Sequence, residues 1–272
     1  MPKTIVITGA SDGIGAAAAL LLSQKGERVV IVGRDPHRTA AVAKEAGAPY
    51  FLADFADLSQ VRTLAEQLLK NFPEINVLAN NAGGIMGNRT LTVDGYEKTF
   101  QVNHLAPFLL TNLLLPTLEA GKATVIQTSS KAASLFARFN IDDLQNEIDY
   151  TPQKAYGNGK LANILFTSEL HHRFADKGIA AVAFHPGIVG TSFASDTTNL
   201  MRYVYHSPLK HLFTIRPEKA AQDLVWLAEG TPAVTFTPGE YYESKKLPTR
   251  VNPVSKDAAL AKELWDRSAA LI

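Results

Sequence analysis

Thr4-Ile5-Val6-Ile7-Thr8-Gly9-Ala10-Ser11-Asp12-Gly13-Ile14-Gly15 stands almost at the start of the chain. Five β-prone residues run into a turn containing Gly9, Gly13 and Gly15, and an alanine-rich helical stretch follows. A strand that passes through a glycine turn into a helix offers backbone N–H groups and a positive helix end to a pyrophosphate. The glycines let the backbone come close to whatever binds there. The spacing is G-x-x-x-G-x-G rather than G-x-G-x-x-G, and alone it reads equally well as a plain strand-to-helix turn. The later strand ends have to supply the remaining weight.

Short β-rich runs recur at Thr4 to Thr8, Arg28 to Val32, Pro49 to Leu52, Ile75 to Ala79, Ala123 to Thr128 and Ile179 to Phe184. Segments of helical periodicity separate them, which predicts an α/β fold with a doubly wound parallel sheet and helices on both faces. Helix boundaries are readable at Asp35-Pro36, at Ser59 before Gln60 to Asn71, and over Pro217 to Glu229 before Gly230. The least regular stretches are Ser134 to Gln153, Ile188 to Phe213 and Gly230 to Asn252. At 272 residues and 46% hydrophobic content, one domain over residues 1–272 is expected. The stretch 188–213 is apolar enough to be a substrate lid, mobile in the free protein and ordered when its ligands are bound.

A formal net charge of +1 without a basic block gives no footprint for nucleic acid. The chain has no cysteine, so disulfides and thiolate metal sites are excluded, and no metal is expected. No apolar run approaches the roughly 20 residues that span a bilayer, and no signal or anchor pattern precedes the first strand. A soluble cytoplasmic protein is expected, with a homo-oligomer left open.

Ligands of open α/β sheets bind beyond the carboxyl ends of the strands. Those ends carry the glycine turn, Gly33-Arg34, Asp54-Phe55, Asn80-Asn81-Ala82-Gly83, Ser129-Ser130 and His185-Pro186-Gly187 in turn. Each offers a residue type that a nucleotide or a reacting carbonyl could use. Tyr156 and Lys160 lie one helical turn apart, so an ammonium can stabilise the phenolate of a tyrosine that otherwise titrates near pH ~10. A serine hydroxyl beside the phenol could orient a substrate oxygen while a nicotinamide exchanges hydride at the carbon. An isolated Tyr-x-x-x-Lys is mostly surface decoration; the ordered set gives it meaning. Pro107 interrupts an otherwise apolar helical segment, Tyr96 to Leu115. It lacks an N–H for the carbonyl four residues back, which predicts a kink at Asn103.

In these motifs the sequence resembles the short-chain dehydrogenase/reductase family: TGASDGIG, Asp54, Asn80 to Gly83, Ser130, Tyr156-x-x-x-Lys160 and His185-Pro186-Gly187 occur in the family's order. It is most similar to the retinol dehydrogenase-like branch, through Val102-Asn103-His104-Leu105, the long Ser130-to-Tyr156 interval with Asn140-Ile141-Asp142-Asp143-Leu144, and Lys160-Leu161-Ala162-Asn163. The resemblance implies an alcohol dehydrogenase or carbonyl reductase with Asn103, Ser130, Tyr156 and Lys160 as its catalytic residues. It further implies dinucleotide contacts from Gly9, Ser11, Asp12, Gly13, Ile14, Gly15, Arg34, Asp54, Phe55, Asn81, Ala82, Gly83, Tyr156, Lys160, Pro186, Gly187, Val189 and Thr191.

Members preferring NAD(H) end the second strand with an acid, whereas an arginine there pairs with a 2′-phosphate. Arg34 therefore implies NADP(H), with NAD(H) also usable, and Asp35 before Pro36 reads as a helix cap. Asp12 stands where some members place a basic residue, so the preference implied is modest. Two departures, Gly159 before the lysine and Ala106-Pro107 after the Asn103 segment, weaken transfer of a particular substrate. Besides the oxidoreductase, a non-catalytic NADP(H)-sensing regulator and a nucleotide-sugar epimerase or dehydratase share these motifs. The intact set of four favours the first, and the short part after Thr191 argues against the last.

Overall fold

The computed structural model describes residues 2–187 and 216–272. The segment 188–213, expected to be a lid, and the expected contacts Val189 and Thr191 lie outside the described residues. Strand β1 (Thr4–Thr8) leads to α1 (Gly13–Gln24), β2 (Arg28–Gly33), α2 (Pro36–Ala46), β3 (Tyr50–Leu52), α3 (Leu58–Asn71) and β4 (Val77–Asn80). Then come α4 (Lys98–Phe100), a π-helical turn (Gln101–Leu105), α5 (Ala106–Leu113), α6 (Leu115–Ala120) and β5 (Thr124–Thr128). After β5 come α7 (Ala132–Leu135), α8 (Pro152–Phe174) and β6 (Ala180–His185). Beyond the undescribed segment lie α9 (Pro217–Glu229), β7 (Tyr241–Glu243) and α10 (Ala258–Ala270).

The strands form one seven-stranded sheet in the order β3-β2-β1-β4-β5-β6-β7, and every adjacent pair is parallel. Alternation along the strands explains why both faces are apolar. Val6, Leu78 and Val125 face a layer containing Val61, Leu64, Phe108 and Phe166. Ile5, Ile7, Val77, Ala79 and Ile126 face the opposite layer, with Ala18, Leu22 and Leu224. Strands covered on both sides read as continuous apolar runs, as these do. The strand order reverses between β1 and β4, and that switch opens a crevice at their carboxyl ends.

Three local expectations are revised. β7 lies inside Gly230 to Asn252, which reads as irregular in the sequence; three residues are too few to show a period, and pairing to Ala183–His185 makes them a strand. Helix α3 begins before Ser59 and its cap is Asp57, whose carboxylate accepts from Ser59 N at 2.9 Å and from Ser59 Oγ at 2.6 Å. The segment Tyr96 to Leu115 is not one helix: α4, the π turn and α5 succeed one another, with Pro107 in the first turn of α5. The expected break at Asn103 thus takes the form of a π turn, in which Ala106 N–H reaches back to Gln101 O. Among the described residues no helix is long and apolar enough to cross a membrane.

Candidate active site

The crevice begins at the glycine turn. Gly9 has φ +64°, and a Cβ there would lie 2.8 Å from Ala82 Cα, so only glycine lets the loops after β1 and β4 touch. A Cβ on Gly15 would meet Gly9 O at 2.5 Å and Asn81 Nδ2 at 2.7 Å. Thr8 ties the two loops: its Oγ1 accepts from the N–H groups of Asn81 and Ala82, both at 3.0 Å. Asn81 returns the tie through Nδ2, which donates to Thr8 O at 3.0 Å, and its Oδ1 accepts from Thr128 Oγ1 at 3.3 Å. The Asn81 side chain therefore knits the ends of β1, β4 and β5 together. Asp12 caps α1 by accepting from Gly13 N at 2.7 Å. Ile14 packs against the core, and Ser11 lies beneath the end of β2, where a Cβ on Gly33 would come within 2.9 Å of it.

The residue after β2 and the first turn of α2 each carry a cation, Arg34 and Arg38. Arg34 Nη1 lies 3.9 Å from Asp54 Oδ2 and Arg38 Nη1 lies 3.7 Å from Asp12 Oδ2, with the guanidinium side chains 67% and 61% exposed. Such exposed pairs are weak and leave both arginines able to turn toward an added phosphate. Asp35 accepts from Arg38 N at 2.9 Å as the cap of α2, and that bond holds its carboxyl below the usual carboxylate range. Arg38 carries no signal in the sequence because it sits one turn inside α2. Phe55 turns into the core, and its main-chain O accepts from Gln101 Nε2 at 3.1 Å. Asp54 Oδ1 accepts from Ala56 N at 2.9 Å.

Tyr156 and Lys160 stand on the first half of α8. Thr151 caps that helix by accepting from Lys154 N, and Pro152 opens it. Tyr156 is 7% exposed and packs on Ile85 and Ala132. Lys160 is 2% exposed; its Nζ donates to Thr128 O at 2.9 Å and lies 5.5 Å from the centre of the Tyr156 ring. Burial lowers its pKa to about 7, because the ammonium has left water and gained one carbonyl. Ser130 follows β5 and its Oγ accepts from Ala132 N at 3.2 Å. Ser129 Oγ donates to Lys160 O at 2.7 Å, anchoring the lysine's own turn of helix to β5. Its neighbour Ser130 carries the family motif, so this anchor was not visible in the sequence.

Asn103, on the π turn, is fully buried, and its side chain is spoken for. Oδ1 accepts from Gly84 N at 3.1 Å, while Nδ2 donates to Gly84 O and to Thr99 O, each at 2.9 Å. A Cβ on Gly83 would meet Asn103 Oδ1 at 2.5 Å and Lys160 Nζ at 3.1 Å, so both residues converge beside that glycine. Gly159 gives the same closeness from α8: a Cβ there would sit 3.3 Å from Asn103 Cβ. Pro186 and Gly187 continue β6 over the crevice, Gly187 with φ +89°. His185 is buried before them and its pKa falls to about 4 by desolvation, so it is neutral. Among the described residues no cluster of His, Cys, Asp and Glu is arranged to hold a metal.

A dinucleotide fits this arrangement. The glycine turn and the α1 N-terminus follow β1, Arg34 and Arg38 follow β2, and Lys160, one helical turn from Tyr156, reaches the end of β5, a set that could hold the phosphates and the nicotinamide of such a molecule. A family profile described as short chain dehydrogenase matches residues 3–201. A candidate daunorubicin C-13 ketoreductase from Streptomyces sp. (strain C5) is 44% identical over 99% of this chain and 92% of its own. Retinol dehydrogenase 14 of Mus musculus is 34% identical over 99% of this chain and 86% of its own. Among solved structures, an uncharacterized protein from Mycobacterium paratuberculosis superposes with TM-score 0.78 at 33% identity, covering 100% of this chain and 95% of that one. The RhlG/NADP active-site complex of Pseudomonas aeruginosa gives 0.71 at 26% identity, covering 89% and 94%. The chain belongs to the short-chain dehydrogenase/reductase family, in its retinol dehydrogenase-like branch, and is an oxidoreductase that uses a nicotinamide cofactor on alcohols or carbonyls.

Proposed function

We propose that the protein is an NADP(H)-preferring reductase of hydrophobic aldehydes or ketones, with the reverse alcohol oxidation at the same site and Tyr156 as the proton donor and acceptor. The observation that carries this reading is the convergence of Tyr156, Lys160 and Asn103 on the carboxyl ends of β4 and β5, beside Gly83 and Thr128. A bound nicotinamide supplies or accepts the hydride. Ser130 Oγ orients the substrate oxygen, and the Tyr156 hydroxyl gives that oxygen its proton on reduction and takes it back on oxidation. Lys160 stabilises the phenolate left on Tyr156. Because burial has brought its own pKa to about 7, it can also pass on a proton at neutral pH.

Arg34 and Arg38 support the preference for a 2′-phosphate. A dianionic phosphate competes well with two exposed single-carboxylate pairs, and Asp35 is committed to its cap. The named relatives, a retinol dehydrogenase and a candidate daunorubicin C-13 ketoreductase, are named for substrates with a large hydrophobic framework, which supports a substrate with a hydrophobic body here. The test is a screen of aldehydes, ketones and quinones, retinal and daunorubicin among them, monitored by consumption of NADPH and of NADH. Faster consumption of NADPH with at least one carbonyl is expected. Equal or faster use of NADH would remove the phosphate preference, and no turnover with either cofactor in either direction would overturn the reading.

A further inference from the structure

The turn Ser130-Lys131-Ala132-Ala133 follows β5 and carries the hydroxyl assigned above to the substrate oxygen. Ser130 Oγ accepts from Ala132 N at 3.2 Å, so the position of that oxygen follows the position of the first residue of α7. Ala132 also packs on Tyr156. With only four residues, Ala132–Leu135, α7 is too short to hold its conformation by its own hydrogen bonds. What it touches sets where it lies.

One side of α7 rests on α8. A Cβ on Gly157 would meet Ala137 N at 2.7 Å and Ala132 O and Phe136 C at 2.9 Å, so the backbone of this segment lies directly on the helix, one residue after Tyr156. The two residues flanking Ala132 are held by the carboxyl-terminal part of the chain. Lys131 Nζ lies 3.0 Å from Glu243 Oε2, with the lysine exposed and the carboxylate mostly buried, and Ala133 O accepts from Asn252 Nδ2 at 3.0 Å. Both holding groups are themselves fixed. Glu243 ends β7 in register with His185 of β6, and its Oε1 accepts from Tyr241 OH at 3.1 Å. Tyr241 is buried in one cluster with Ala133, Leu161 and Leu165; burial, and then the Glu243 charge, pushes its hydroxyl up, so it stays a donor. Asn252 Oδ1 accepts from Val254 N at 3.2 Å. Positions 131 and 133 thus engage the carboxyl-terminal segment, while Ala132 between them serves Ser130 and Tyr156.

We propose that Glu243 and Asn252 are positioning residues for Ser130: through Lys131 and Ala133 they clasp α7 and hold the serine hydroxyl in place for the substrate oxygen. The proposal rests on the role of Ser130 in orienting that oxygen. In a purely structural role the clasp would only tie the carboxyl-terminal segment to the sheet, and α8 alone would locate the serine.

The test compares Lys131→Met, Lys131→Arg, Glu243→Gln, Asn252→Asp and Ser130→Ala with the parent. Glu243→Gln keeps the acceptor for Tyr241 and loses the charge, whereas Asn252→Asp keeps the acceptor for Val254 N and loses the donor to Ala133. Thermal melting, calorimetric NADPH affinity and NADPH-driven reduction of the carbonyl consumed fastest in the screen above are measured for each. A pair with an exposed lysine contributes little to stability, so melting should move little. Lys131→Met, Glu243→Gln and Asn252→Asp should each lower kcat roughly fivefold at unchanged NADPH affinity, as small displacements of an orienting group do. Lys131→Arg keeps the pair and should keep the parent kcat. In a Ser130→Ala background Glu243→Gln and Asn252→Asp should lower kcat no further, because they act through the serine. If both hold the parent kcat, or if their losses are undiminished without the serine, the clasp is structural and the proposal fails. Full turnover in Ser130→Ala itself would instead remove the orienting role of the serine first.

Discussion

Lys160 is the residue on which the proposed chemistry turns, and its surroundings differ from a simple ammonium beside a phenol. One carbonyl at 2.9 Å does not repay the loss of water, and its pKa falls to about 7. The lysine is thus half charged near neutrality, a state suited to relaying protons as well as stabilising the phenolate. Tyr156→Phe removes only a hydroxyl from a residue packed on Ile85 and Ala132. It should leave cofactor binding intact and lower kcat by roughly a thousandfold or more, read by steady-state kinetics against calorimetric titration of NADPH. At the other end of the crevice, Arg34→Ala and Arg38→Ala should each weaken NADPH roughly tenfold and leave NADH nearly unchanged. An unchanged NADPH-to-NADH affinity ratio in either variant would take that arginine out of the site.

At the scale of elements, the passage from α4 through the π turn to α5 decides where Asn103 and His104 point. Pro107 cannot donate to the carbonyl of Asn103, so the α-helical ladder has no bond at that step and the wider turn takes its place. Pro107→Ala supplies the missing N–H. The turn should then tighten toward α-helix and draw the Asn103 amide off Gly84, whose N–H and C=O it now holds. A roughly tenfold loss of kcat with unchanged or higher melting temperature is expected. Retention of the π turn in a crystal structure of the variant would show that packing alone imposes it.

For the whole molecule, three buried bases give stability a common pH dependence. Lys160 titrates at about 7 in the fold and at 10.5 in a free chain, so between those values the unfolded chain binds more protons and stability rises with pH. His104 and His185, at about 4 against 6.5, act in the same direction on the acid side: stability falls as pH drops from 6.5 toward 4. Urea unfolding of the ligand-free protein should therefore give a free energy about 2 kcal/mol higher at about pH 9 than at pH ~7 from the lysine. Lys160→Met should abolish that increment, and an equal increment in the variant would place its origin elsewhere.

What the sequence determined is whatever a single strand or helix fixes through its own geometry. Continuous apolar runs between helical segments determined the parallel sheet. The turn from Gly9 to Gly15 determined the start of the crevice, and four-residue spacing put Tyr156 and Lys160 on one face of α8. Asp35 before Pro36 was legible as a cap, and Pro107 as a break, because both act within a few residues. Only the tertiary structure decided the rest. β7 exists because β6 has an open edge, and Arg38 meets Asp12 because α2 packs beside the glycine turn. The Asn81 side chain holds strand ends together, and Phe55 faces the core. Lys160 has its lowered pKa, and His104 its partners, because segments far apart in the chain close over them. Backbone periodicity is a local property that residue order records directly; desolvation and hydrogen-bond partnership arise only when distant segments pack together.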